Sequence, residues 1–108
     1  MEEQEFRQHA DYALNKLFRA LSAAADDYGF ETDFNAGAVS IEFEDPPAKF
    51  VVSPNAPARQ IWVSANVKSY KLDWDEVEQT FVLPSTRQTL QALIEEAIGR
   101  HIKQEVNL

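Results

Sequence analysis

The chain has 108 residues, 44% of them hydrophobic, with no cysteine and a net charge of −8. A domain of this size buries roughly two-thirds of its unfolded surface and can hold one core without cross-links. The missing thiols exclude thiolate zinc sites, iron–sulfur clusters held by this chain alone, thiol catalysis and disulfide frameworks. The charge is lopsided: residues 1–45 carry 11 acidic and 3 basic side chains, a balance of −8, whereas residues 46–108 carry 7 of each. Such a field repels phosphate backbones and anionic membranes and attracts metal cations or a basic partner, although acidity also serves plain solubility. No stretch approaches the ~18 consecutive apolar residues of a membrane span. The acidic start reads as neither a signal nor a transit peptide, so one cytoplasmic domain over residues 1–108 is expected.

Phe6, Ala10, Ala13, Leu14, Leu17, Phe18, Leu21, Ala24 and Ala25 recur at spacings of three and four. They predict an amphipathic helix of about 20 residues, ended by Tyr28-Gly29. The period then falls to two. Phe30–Phe34 and the alternating Val39, Ile41 and Phe43 flank an Asn35-Ala36-Gly37 turn, giving two paired strands. Ala48–Ser53 follows as a third strand, closed by Pro54-Asn55-Ala56-Pro57 because two prolines remove ladder donors. Arg59–Ala65, Ser69–Trp74 and a shorter Glu78–Leu83 complete the set. A second helix is expected from Pro84-Ser85, with Ser85 and Gln88 as a capping box and Leu90, Leu93, Ile94, Ala97, Ile98 and Ile102 as its buried stripe. Gly99 weakens that helix. Two helical stripes need one sheet face between them. The fold class is therefore α+β, a two-layer sandwich in which an antiparallel sheet of five or six strands carries both helices on one face.

In the strand Arg59–Ala65, Ile61, Val63 and Ala65 point to the core, which sends Gln60, Trp62 and Ser64 to the solvent face. Trp62 there is either a rigid anchor for a partner or an indole lying flat over cross-strand neighbours such as Lys49, Val51 or Lys71. Asp26, Asp27, Glu31 and Asp33 gather where the first helix meets the first strand, with Glu31 and Asp33 on one strand face. They suit hard cations held weakly with water, or they form a solvated edge that discourages aggregation. Asp73–Glu78 looks like a calcium loop, but Val77 and the missing glycine at its sixth position reject it. His9 and His101 stand alone on their helices, with no second histidine one turn further on, and read as ordinary flanking histidines. Three isolated glycines cannot build a phosphate loop, and no nucleophile–base setting is recognisable. Binding rather than nucleophilic catalysis is expected.

The helix–strands–helix order, Gly37–Glu44, Lys49 with Ser53-Pro54-Asn55-Ala56-Pro57, Gln60-Ile61-Trp62-Val63-Ser64 and Tyr70–Trp74 together resemble the frataxin family in its bacterial, CyaY-type form. The resemblance covers nearly the whole chain, beginning at Glu5-Phe6. It implies an iron-binding modulator of iron–sulfur cluster assembly that docks as a monomer on a cysteine desulfurase–scaffold complex, with Fe²⁺ or Fe³⁺ held weakly and reversibly. On this reading Asp27, Glu31 and Asp33, supplemented by Asp26 and Glu3, are the iron ligands. Trp62, Gln60, Asn55, Lys71 and Ser64 are the partner-binding residues. Phe18, Arg19, Ser22, Ala23 and Ala25 stand where bacterial members usually carry acids, and Ser53 where an asparagine is expected, which implies weaker or displaced iron binding. The family is also credited with ferroxidase and iron-storage activity. The chain lacks the Glu-x-x-His pattern of di-iron bundles. A metal-independent acidic interaction module, such as a dimeric secretion chaperone, is a further alternative.

Overall fold

The computed structural model describes residues 1–108. The first helix, α1, spans Glu3–Tyr28 and buries Phe6, Ala10, Leu14, Leu17, Leu21 and Ala24. It runs beyond the apolar stripe at both ends. Glu3 and Glu5 favour the first turn through the helix dipole, and Gly29 closes the last with φ 72°, its N–H donating to Ala25 O at 2.9 Å. That left-handed conformation costs glycine nothing.

Six strands follow: β1 Phe30–Asn35, β2 Ala38–Glu44, β3 Pro47–Asn55, β4 Gln60–Ala65, β5 Lys68–Asp75 and β6 Thr80–Val82. They pair in chain order as one antiparallel meander, β1-β2-β3-β4-β5-β6. Ala36 and Gly37 both take positive φ in the β1–β2 turn, the geometry that matches the twist of a two-residue hairpin. One sheet face carries Phe30, Val39, Ile41, Phe43, Phe50, Val52, Ile61, Val63 and Leu72, all buried against the two helices. The core is wholly apolar, with Phe6 edge-on to Phe81 at 5.9 Å and Phe43 against Phe50 at 5.0 Å. The opposite sheet face meets solvent, as the alternation predicts.

Three boundaries differ from the sequence reading. Strand β3 does not stop at Ser53 but runs through Pro54, opposite Ile61, to Asn55 opposite Gln60. Pairing with β2 ends at Val52, so one side of β3 is open at Pro54 and a missing donor costs little there. The second helix, α2, begins at Leu90 and runs to Ile102. Its cap is Thr89, whose side chain accepts the Ala92 N–H at 3.2 Å. Arg87 sits at φ 65° with its N–H on Leu83 O, in a turn that keeps Ser85 off the helix. Gln88 reaches Glu96 at 2.6 Å rather than back to Ser85. Strand β6 is cut to three residues because Gln79, at φ 54°, still belongs to the turn.

Gly99 has a packing reason. A Cβ there would lie 2.9 Å from Gln104 O and 3.9 Å from Val106 Cγ2. The chain after α2 folds back across it, and Val106 enters the core at 6% exposure. Hydrogen bonds from Asn107 N to Tyr28 Oη (3.1 Å), Leu108 N to Glu95 Oε2 (2.8 Å) and Gln91 Nε2 to Leu108 O (3.2 Å) fasten this tail to both helices.

Candidate functional site

The solvent face of the sheet carries two adjoining patches. The first is built by β3, β4 and β5. Antiparallel register places Ser53, Trp62 and Lys71 in one row, Asn55, Gln60 and Asp73 in the next, and Val51, Ser64 and Ser69 on the other side. Trp62 is 37% exposed, neither sealed in the protein nor free of it. Lys71 Nζ lies 4.9 Å from the indole centroid, a cation–π distance, so one ring face is shared with Lys71 while the rest meets water. Trp62 Nε1 donates to Gln60 Oε1 at 3.0 Å, and Gln60 Nε2 donates to Asp73 Oδ1 at 2.9 Å. Asn55 acts locally, its Oδ1 accepting the Ala58 N–H at 3.0 Å and shaping the β3–β4 turn. Ser64 is exposed beside Val51. The structure thus brings together all five residues read as partner-binding, and adds Asp73, which the sequence offers only as the start of a rejected calcium loop and not as a neighbour of Gln60.

The second patch is a shallow trough of about 480 Å³ over β1, β2 and β3, lined by residues that include Glu31, Asp33, Glu42 and Lys49. Glu31 lies directly opposite Glu42, and Asp33 opposite Ser40. Like charges facing across a strand pair repel; Lys49, 3.6 Å from Glu42 Oε1, offsets part of this. Glu42 belongs to the acidic set of the sequence, but only the hairpin register reveals that it joins Glu31. Asp26 and Asp27 are exposed in the last turn of α1, which carries no basic residue, so they sit at the negative end of the helix dipole. Glu3 is not brought to this end. It lies about 35 Å away along the helix axis and pairs with Arg7 at 3.0 Å. No three His, Asp or Glu side chains converge into a ligand cluster.

Two other features lie apart from these patches. A groove of about 430 Å³ between α1 and the start of α2 is floored by His9, which stacks on Trp74 at 3.8 Å. His101 packs on Phe43 and donates from Nε2 to Pro46 O at 2.7 Å, tying α2 to the β2–β3 turn. The Asp75 carboxyl is held clearly below its ordinary value. It accepts the Glu78 N–H, the Arg87 guanidinium and the Val77 N–H, which together outweigh the burial acting the other way. Its role is to fasten the β5–β6 turn to the loop before α2.

A family profile described as "Frataxin-like domain" matches residues 1–104. The iron-sulfur cluster assembly protein CyaY of Dechloromonas aromatica is 35% identical over 75 residues, 69% of this chain and 70% of the relative. The CyaY of Vibrio cholerae is 23% identical over 107 residues, 99% of this chain and 98% of its own. Mitochondrial frataxin of Arabidopsis thaliana is 26% identical over 102 residues, and the match spans 91% of this chain but 54% of that protein. Among solved structures, frataxin from Psychromonas ingrahamii superposes with a TM-score of 0.76 at 19% identity, covering 99% of this chain and 97% of that one. The sandwich of two helices on a six-stranded meander is thus the frataxin fold, and the chain belongs to the frataxin family, of the CyaY type.

Proposed function

We infer that this protein is a modulator of iron–sulfur cluster assembly that works in the cytoplasm, as one frataxin-like domain and a monomer, by docking on a cysteine desulfurase–scaffold complex. Family membership supports the pathway, since the CyaY relatives are named for iron–sulfur cluster assembly. The observation that carries the docking is Trp62, a half-open indole on the solvent face of the sheet, flanked by Gln60 and Lys71 and adjoining an acidic trough. A rigid aromatic anchor supplies contact area at low entropic cost. The acidic trough supplies long-range attraction toward a basic partner surface.

Iron is read as cargo. Glu31, Asp33 and Glu42 at the trough, with Asp26 and Asp27 at the nearby helix end, offer hard oxygen donors of the type Fe²⁺ accepts. Because no three ligands converge, the cation would keep most of its water, consistent with weak, reversible binding. Glu3 drops out of the ligand set on distance. A ferroxidase centre would need convergent donors, so loose capture beside the docking face is the better reading.

The test is titration of a desulfurase–scaffold complex with Trp62→Ala. Hot-spot aromatics are worth about 2 kcal/mol or more, so affinity should fall at least about thirtyfold while the fold is kept. Unchanged affinity would remove Trp62, and with it the docking reading.

A further inference from the structure

We propose that Asp73 is a positioning residue: it fixes the rotation of the Gln60 amide and, through it, the indole of Trp62, so that the docking surface is set before any partner arrives. The proposal rests on the docking role given to Trp62 above.

Gln60 and Asp73 face each other across β4 and β5, and Trp62 lies two residues along β4 on the same face. The chain of bonds runs from Trp62 Nε1 to Gln60 Oε1, 3.0 Å, and from Gln60 Nε2 to Asp73 Oδ1, 2.9 Å. A primary amide has an acceptor end and a donor end, and a half-turn exchanges them. The indole N–H is a donor only, and an ionised carboxylate is an acceptor only. One amide orientation therefore satisfies both neighbours, and the other places donor on donor and acceptor on acceptor. Asp73 anchors that choice. Without it, the far end of the amide meets water, both orientations compete, and the indole loses its fixed acceptor for part of the time.

The consequence for recognition is specific. The indole N–H is already used within the protein, so a partner need not supply an acceptor for it. What Trp62 offers is ring hydrocarbon, with the Lys71 ammonium 4.9 Å from the centroid. The complementary surface is an apolar slot with a carbonyl or carboxylate placed for Lys71. Holding that arrangement beforehand removes an ordering cost from binding.

Two variants separate hydrogen bonding from charge, because Asp73→Ala and Asp73→Asn both remove one negative charge, yet only the asparagine keeps an oxygen that accepts from Gln60. In the ¹⁵N-labelled full chain, the Trp62 indole signal is identified by its loss in Trp62→Phe. In Asp73→Ala that signal should shift, and its N–H should exchange about two- to tenfold faster, the ratio set by one hydrogen bond of ordinary net strength. Asp73→Asn, whose amide can accept from Gln60 but can also turn to donate, should lie nearer the wild type than Asp73→Ala, and the Trp74 indole signal should move far less than that of Trp62. Affinity for the same desulfurase–scaffold complex should fall about two- to tenfold in Asp73→Ala and be restored in part in Asp73→Asn. An unmoved Trp62 indole signal in Asp73→Ala, or equal affinities for the two variants, overturns the proposal. If Trp62→Ala also binds normally, the docking reading fails as well; if Trp62→Ala weakens binding while Asp73→Ala does not, the positioning role alone is lost.

Discussion

Replacing Gly99 by alanine sets two effects of known sign against each other. Inside a helix, alanine is favoured over glycine by about 1 kcal/mol, so helix propensity alone predicts a more stable protein. The added Cβ, however, would sit 2.9 Å from Gln104 O, a backbone atom that cannot rotate away. Relief requires the tail to lift. Its anchor is Val106, buried to 6% exposure, and exposing a valine costs roughly 1.5 kcal/mol or more. Further losses come from loosened bonds at Asn107 and Leu108. The clash therefore wins by about 1 kcal/mol, lowering the melting temperature by about 4–8 °C in a domain near this size. Urea unfolding followed by circular dichroism measures it, and a cycle with Val106→Ala tests the route. If the alanine acts by lifting the tail, the double variant should lose less than the sum of the two single losses. A stabilised Gly99→Ala protein, or strict additivity in that cycle, would refute the argument.

Thr89→Ala should cost about 1 kcal/mol through loss of the α2 cap, whereas Ser85→Ala should be nearly neutral; thermal melts of the two compare them directly. Asp75 titrates below its ordinary 3.8 in the folded protein. Its stabilising contribution is therefore complete above that value and is lost as the pH falls from 3.8 through the folded-state value, so urea midpoints measured down the acid limb should fall less steeply in Asp75→Asn. Glu31→Lys replaces a like-charge pair opposite Glu42 by an opposite-charge one, and should stabilise the protein by about 0.2–1 kcal/mol. The same variant should weaken Fe²⁺ binding at the trough, read by calorimetric titration; unchanged binding would move the cation away from β1.

Alternation around Ile61 is enough to put Trp62 on the wet face, because a strand of period two has no other way to bury Ile61 and Val63 together. The helical stripes are equally legible, since Leu14, Leu17 and Leu21 can share one face at no other period. What escapes is every feature decided between segments. Ser85 and Thr89 are both good caps, and the choice falls to Thr89 because Arg87 turns left-handed between them. Gly99 looks like a defect until the tail that crosses it is known. Glu42 joins Glu31, and Asp73 meets Gln60, through register alone, which each two-residue turn sets and no local pattern announces. The single glycine at the α1–β1 joint keeps Asp26 and Asp27 close to Glu31 along the chain, yet they belong to the helix layer while Glu31 and Asp33 line the trough on the other sheet face, and Glu3 is carried away by the length of the helix.

The meander has a bearing on how the chain reaches this shape. Its strands are joined by connections of two or four residues, so each new ladder closes a small ring and costs little chain entropy. The expensive closure is left to the chain ends, where α1 and the residues after α2 must meet across a sheet formed from everything between them. Short-range ladders of this kind are expected to close first, and the contact between the two termini, the one of greatest sequence separation, to close last. Loosening the tail should hasten opening far more than it slows formation of the sheet.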